Sequence, residues 1–139
     1  MKKHRGRKKG DKIKKELIGL LKQSLDIHSA LNEWQVEDGG PDIVGLPVAI
    51  TVKPYKLRWL STWWKLAVKQ ASQTDQPPIL AYKKSGKQWR FRLASSDFMP
   101  KCGSFPREWN FTVDVGVEVF IAWLENLKRG LDMSITVIH

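Results

Sequence analysis

A single cysteine, Cys102, stands in 139 residues. That excludes an internal disulfide and any cysteine-rich zinc site, and it fits a reducing compartment. No apolar run approaches the roughly 18 residues that a membrane span needs, and the basic N-terminus lacks the apolar stretch of a secretory signal. The expectation is a cytoplasmic protein with no membrane partner. Histidine is scarce too: His4, His28 and His139 are scattered, and no pair has metal-ligand spacing. A Gly-rich phosphate loop of the nucleotide-binding type is missing, since Gly39-Gly40-Pro41 reads as a turn. Ser61 and Ser72 have no nearby His or acid pattern, so nucleophilic serine chemistry has no support. Acidic residues are outnumbered, 14 Asp and Glu against 24 Lys and Arg, for a net charge of +10.

What is present is enough apolar material, 42% with seven Trp, for one compact core. The reading is a basic arm over residues 1–10, disordered without a partner, and a single domain over 11–139. The charge falls into blocks. Residues 1–15 carry nine Lys or Arg against one Asp, and 53–92 carry ten against Asp75 alone. Between them, 16–52 holds six acids and one Lys, while 93–139 is mildly acidic. Two cationic segments flanking an acidic one suit a phosphate backbone, which rewards neutralisation by releasing counterions. Carboxylates between such flanks can also hold a divalent metal against a phosphate. Nucleic-acid binding is the expectation, with a solvated or localisation-type arm as the plainer reading of residues 1–9.

Periodicity predicts a helix over about 12–25, with Ile13, Leu17, Leu20, Leu21 and Leu25 on one side and Asp11 as its N-cap. Ala30–Val36, Asp42–Leu46 and Val48–Val52 read as extended segments. Leu57–Ser72 reads as a second helix ended by Pro77-Pro78. Its Trp59, Trp63 and Trp64 fit core or dimer-interface packing better than base stacking. Ile79–Tyr82 and Gln88–Leu93 form a hairpin pattern in which Trp89 and Phe91 alternate with Arg90 and Arg92. The segment 94–109 has little periodicity. Asn110–Val115 reads as a strand and Val117–Leu127 as a helix stopped by Gly130, with Ile135–Ile138 as a last strand. The expected class is α/β, a sheet with helices packed on it and an extra strand and helix at the C-terminus.

The run Gly40-Pro41-Asp42-Ile43-Val44-Gly45-Leu46-Pro47-Val48-Ala49-Ile50-Thr51-Val52-Lys53 resembles the core of PD-(D/E)XK nucleases. In that family an Asp opens one strand and an acid-X-Lys triplet lies on the next. Lys9-Gly10 with Glu16-Leu17-Ile18-Gly19-Leu20-Leu21 is similar to the first helix of archaeal-type Holliday junction resolvases. Pro77-Pro78-Ile79-Leu80-Ala81-Tyr82-Lys83 and Gln88-Trp89-Arg90-Phe91-Arg92-Leu93 resemble that family's hairpin, and the Trp63-Trp64 helix with Ala67, Gln70 and Ala71 resembles phage members. The likeness covers about residues 8–93 and rests on element order more than on one motif.

This resemblance implies a restriction-endonuclease-like mixed central sheet and a homodimeric, metal-dependent endonuclease that cuts branched DNA, with branched or duplex DNA as its partner, in a bacterial, archaeal or phage-infected cell. It implies Mg²⁺, or Mn²⁺, held by Asp42, with Lys53 assisting the attacking water. Two departures stand out: Thr51 occupies the strand-acid position, and Lys14 the position of the helix glutamate. Glu37, Asp38 and Glu16 are the remaining acids that could complete a metal site, and Gln70 either orients Lys53 or the phosphate or caps an apolar stripe. Lys8, Lys9, Lys12, Lys14, Lys15, Lys56, Arg58, Lys84, Lys87, Arg90 and Arg92 are the candidate phosphate contacts. A two-fold interface is expected from Trp63 and Trp64, or from Phe120, Trp123 and Leu127. The rival readings are a junction- or DNA-binding relative that has lost cleavage, and a general basic module for RNA or protein.

Overall fold

Alternation along three extended segments sets the layers. Ile50 and Val52, Ile79 and Ala81, and Trp89, Phe91 and Leu93 share one face, because successive strand side chains point to opposite sides. The computed structural model describes residues 2–32, 40–83, 86 and 88–137, with side chains over 10–32, 40–83, 86 and 88–130. Among them, six strands form one mixed sheet in sequence order: β1 (Ala30–Leu31), β2 (Ile43–Val44), β3 (Ala49–Pro54), β4 (Pro78–Lys83), β5 (Trp89–Ala94) and β6 (Thr112–Gly116). Neighbours run antiparallel except β3 and β4, which are parallel and in register from Ala49↔Pro78 to Pro54↔Lys83. Parallel neighbours need a crossover. Here it is α2 (Leu60–Ala71), entered through a 3-10 turn at Leu57–Trp59.

Helix α1 (Lys2–Leu25) and helix α4 (Val117–Val137) cover the Ile50 face. Leu17 and Leu21 of α1 and Phe120 and Leu124 of α4 are fully buried there, and the Phe91 and Phe120 rings stack with centroids 3.9 Å apart. On the other face Leu60, Trp64 and Ala67 of α2 pack on Leu80, Tyr82 and Ala94. The class expected from sequence, an α/β fold with helices packed on a sheet, is therefore present, and the helices lie on both faces. Among the described residues no helix is long and apolar enough to cross a membrane.

Several local expectations change. The first helix starts at Lys2, so the segment read as a disordered arm continues α1 and Asp11 lies inside the helix instead of capping it. Lys and Arg are good helix formers and prolong a helix already nucleated by its apolar turns. The first strand keeps only Ala30–Leu31; residues 33–39 fall outside the described set. The second shrinks to Ile43–Val44 because Gly45 turns the chain at φ +90°, where a Cβ would stand 3.1 Å from the His28 carbonyl oxygen.

Gly130 does not stop α4. A glycine stop of the common kind uses left-handed backbone, and Gly130 stays helical while Gly40, Gly45, Gly86 and Gly103 have positive φ. Residues 135–137, expected as strand, are thus helical, and Ile138 lies outside the described residues.

The aperiodic segment between β5 and β6 forms α3 (Ser95–Phe98), 3-10 turns at Pro100–Cys102 and Trp109–Phe111, and an intervening loop. Polar clasps hold it. Ser96 Oγ accepts from the Phe105 N–H at 2.6 Å, Arg107 pairs with Asp97 at 2.9 Å, and Trp64 Nε1 donates to the Arg107 carbonyl at 3.2 Å. Such contacts leave no periodic trace in sequence. Because Phe120 joins α4 to β5, Phe120→Ala should lower unfolding free energy by about 3–5 kcal/mol. Urea denaturation should show this as a lower midpoint with unchanged slope.

Candidate nucleic-acid interface

Asp42 sits one residue before β2, and the Ile43↔Ile50 pairing brings it beside Thr51 and Val52. The Asp42 N–H donates to the Ile50 carbonyl at 2.8 Å, and the Asn32 N–H donates to the Asp42 carbonyl at 3.0 Å. Oδ2 then accepts from the Val52 N–H at 2.6 Å, so the carboxylate takes the ladder position that β2 leaves vacant. Oδ1 lies 3.4 Å from Lys14 Nζ, an ammonium reaching across from α1. With Asp42 5% exposed, these two partners answer the cost of burying a charge.

Thr51 and Lys53 turn to the opposite face. Thr51 is 1% exposed, and its hydroxyl donates to Gln70 Oε1 of α2 at 2.5 Å. Lys53 Nζ lies 6.0 Å from the centroid of the Trp63 ring, also on α2. No ion pair joins Lys53 to Asp42 among the described residues: one charge is directed to α1 and the other to α2. Gln70 holds Thr51 rather than Lys53.

The described donor set does not fit a divalent cation. Mg²⁺ asks for several oxygen ligands with surplus negative charge. Here an ammonium already faces the Asp42 carboxylate, and the Thr51 hydroxyl proton points to Gln70. Glu16 is about 200° round the helix from Lys14 and pairs with Lys83 on β4 at 3.1 Å. Glu37 and Asp38 lie outside the described residues. Among the described residues no cluster of three His, Cys, Asp or Glu side chains is suited to a metal.

The cations divide between two faces. On α1, Lys12, Lys15 and Lys22 are exposed, whereas Lys14 is taken up by Asp42. Lys8 and Lys9 lie in the first turns of α1, their side chains outside the described set, as are Lys84 and Lys87. On the other side Lys56 and Arg58 are exposed, the latter with its guanidinium 5.7 Å from the Trp59 ring centroid. Lys65 and Lys69 join them on the outward ridge of α2 with Thr62. Lys65 and Lys69 are not among the phosphate contacts expected from sequence. The signal was there, since the stripe that buries Leu60, Trp64, Ala67 and Ala71 leaves positions 62, 65 and 69 outward. Trp64 is fully buried and Trp63 partly so, while Trp59 remains 43% exposed. Phe120, expected at a two-fold interface, is occupied by the chain's own core.

Arg90 and Arg92 project from β5 on the α2 side. Both meet Asp114 of β6: Arg90 Nε and Nη2 lie 2.7 and 2.6 Å from Oδ1, and Arg92 Nη2 lies 3.8 Å from Oδ2. Arg92 Nη1 also donates to Thr112 Oγ1 at 2.8 Å, and its guanidinium stacks 4.0 Å from the Trp109 ring centroid. Burial pushes the Asp114 carboxyl up to about 6 despite the guanidinium beside it, and burial followed by the Arg90 charge lowers Arg92. Asp114 and Trp109 were not anticipated. The alternation of β6 placed Asp114 on the arginine face, but only the Arg92↔Asp114 register makes them neighbours.

Comparison of the chain with protein-family models, with curated proteins and with solved structures gives no match. Lys14 therefore has to be read from its contacts. Lys14→Met should destabilise the fold by about 3 kcal/mol, since it strands a buried carboxylate. Adding Asp42→Asn, which keeps an acceptor for the Val52 N–H, should recover most of that loss in urea denaturation.

Proposed function

We propose that the protein grips the sugar–phosphate backbone of duplex or branched DNA on a resolvase-like frame, and that it binds without cutting through the Asp42 corner. The α-β-β-β-α-β order, with the α2 crossover joining parallel β3 and β4, supports the restriction-endonuclease-like part of this reading. The two lysine-bearing faces support the backbone contact, because phosphate recognition asks for distributed positive charge and little base reading. One observation carries the choice of binding over cleavage: the Lys14 ammonium lies 3.4 Å from the Asp42 carboxylate. A metal-dependent nuclease requires that carboxylate to compensate a dication at the scissile phosphate. Here it compensates a lysine and holds β3.

Titration of labelled four-way junction and linear duplex of equal length tests this. Binding should weaken steeply with salt. Replacing Lys65 and Lys69 together with Ala should reduce the slope of log K against log salt by about 2. With Mg²⁺ or Mn²⁺ the bound DNA should remain intact. Nicking that disappears in Asp42→Ala would overturn the non-cutting reading. Equal competition by single-stranded RNA, with no preference for the junction, would instead favour a general basic module.

A further inference from the structure

We infer that Arg90 and Arg92 form a phosphate-binding pair on the α2 side of the sheet, with Asp114 as a resident carboxylate that a phosphate group displaces. The backbone-binding reading supplies only the source of the phosphate, a nucleic-acid diester; the site itself rests on its own geometry.

Strand alternation places the two arginines on one face about 7 Å apart along β5, while Trp89, Phe91 and Leu93 anchor the opposite face in the core. Two guanidiniums share one carboxylate, and they share it unequally. Arg90 makes short contacts to Oδ1, but Arg92 reaches Oδ2 only at 3.8 Å. Arg92 Nε is buried without a hydrogen-bond partner among the described residues, although Trp109 and Thr112 hold the rest of the group in place. The cluster thus has surplus positive charge, an unmet donor and a guanidinium plane fixed by stacking. A phosphate group answers all three, offering more acceptor oxygens than a carboxylate and a geometry that two guanidiniums can clasp.

Neighbouring residues fit that use. Gly116 stands opposite Arg90, and a Cβ there would lie 3.3 Å from Nη1, so the glycine leaves the guanidinium room over β6. Lys53, Tyr82 and Arg90 occupy one cross-strand row, which puts the Lys53 ammonium on the same face two strands away. Among the described residues the charged groups around Asp114 are few. Arg90 and Arg92 face it from β5; Asp97 on α3 is held by Arg107, Glu108 is exposed, and Glu118 on α4 is exposed where that helix covers the other face of the sheet. Because burial raises the Asp114 carboxyl to about 6, the carboxylate holds both arginines above that pH and releases them as pH falls through it.

The test uses the full chain and two readouts. In Asp114→Asn, duplex DNA should bind more tightly at about pH 7.5, with a salt slope steeper by about 1. In wild type the same steepening should develop between about pH 7.5 and pH 5, and it should vanish in the variant, which has nothing left to titrate there. Independently, the Arg92 Nε–H resonance, identified by its loss in Arg92→Lys, should shift on addition of pyrophosphate, at lower concentration in Asp114→Asn than in wild type. A folded Asp114→Asn with unchanged DNA affinity, salt slope and pyrophosphate response would overturn the inference. If that variant does not fold, a wild-type resonance indifferent to pyrophosphate at both pH values would do the same. A resonance that responds while no DNA binds would leave this site standing and remove the DNA-binding reading instead.

Discussion

The pairing of β3 with β4 is the constraint from which the rest of the molecule follows. Six residue pairs in parallel register decide which side chains share a face. Ile50, Val52, Ile79 and Ala81 are thereby directed to α1 and α4, while Thr51, Lys53, Leu80 and Tyr82 are directed to α2. A shift by one residue would turn every one of these side chains to the wrong layer. The crossover that parallel pairing demands is the tryptophan-bearing helix, so the same constraint brings Trp63 over Lys53 and Gln70 onto Thr51.

Within that frame four of the described acids act as counter-charges to cations on neighbouring elements. Asp42 faces Lys14, Glu16 faces Lys83, Asp97 faces Arg107, and Asp114 faces Arg90 and Arg92. A buried or half-buried cation needs such a partner, and an exposed one does not. The exposed lysines of α1 and α2 are left to solvent and to whatever polyanion approaches. The Asp42 corner shows this partition at its sharpest: the carboxylate closes the sheet edge through Val52 and takes a lysine as its cation.

Much of the fold was legible from residue spacing. The α2 stripe, the β4–β5 hairpin and the start of α4 at Val117 follow from periods of 3.6 and 2. The ends were less so. Lys2–Gly10 carries too much charge to suggest a helix by itself, and Gly130 looks like a stop until its backbone proves helical. The clasps of the segment after β5 join Ser96 to Phe105 and Trp64 to Arg107, contacts that no local pattern encodes.

By itself the sequence determined the charge excess, the alternating faces and the chemical identity of each residue at the β2–β3 corner and on the helix beside it, including Thr51 on β3 and Lys14 on α1 at positions where the resemblance led to an acid being expected. Tertiary structure alone decided the partners. Asp42 and Lys53 lie 11 residues apart in the chain, yet one charge is answered from α1 and the other lies over an α2 ring. Arg92 and Asp114 are far apart in sequence and adjacent in register. Local spacing reports which side of an element a residue occupies, whereas a carboxylate's role is set by the nearest cation, and that neighbour is supplied by whichever element packs against it.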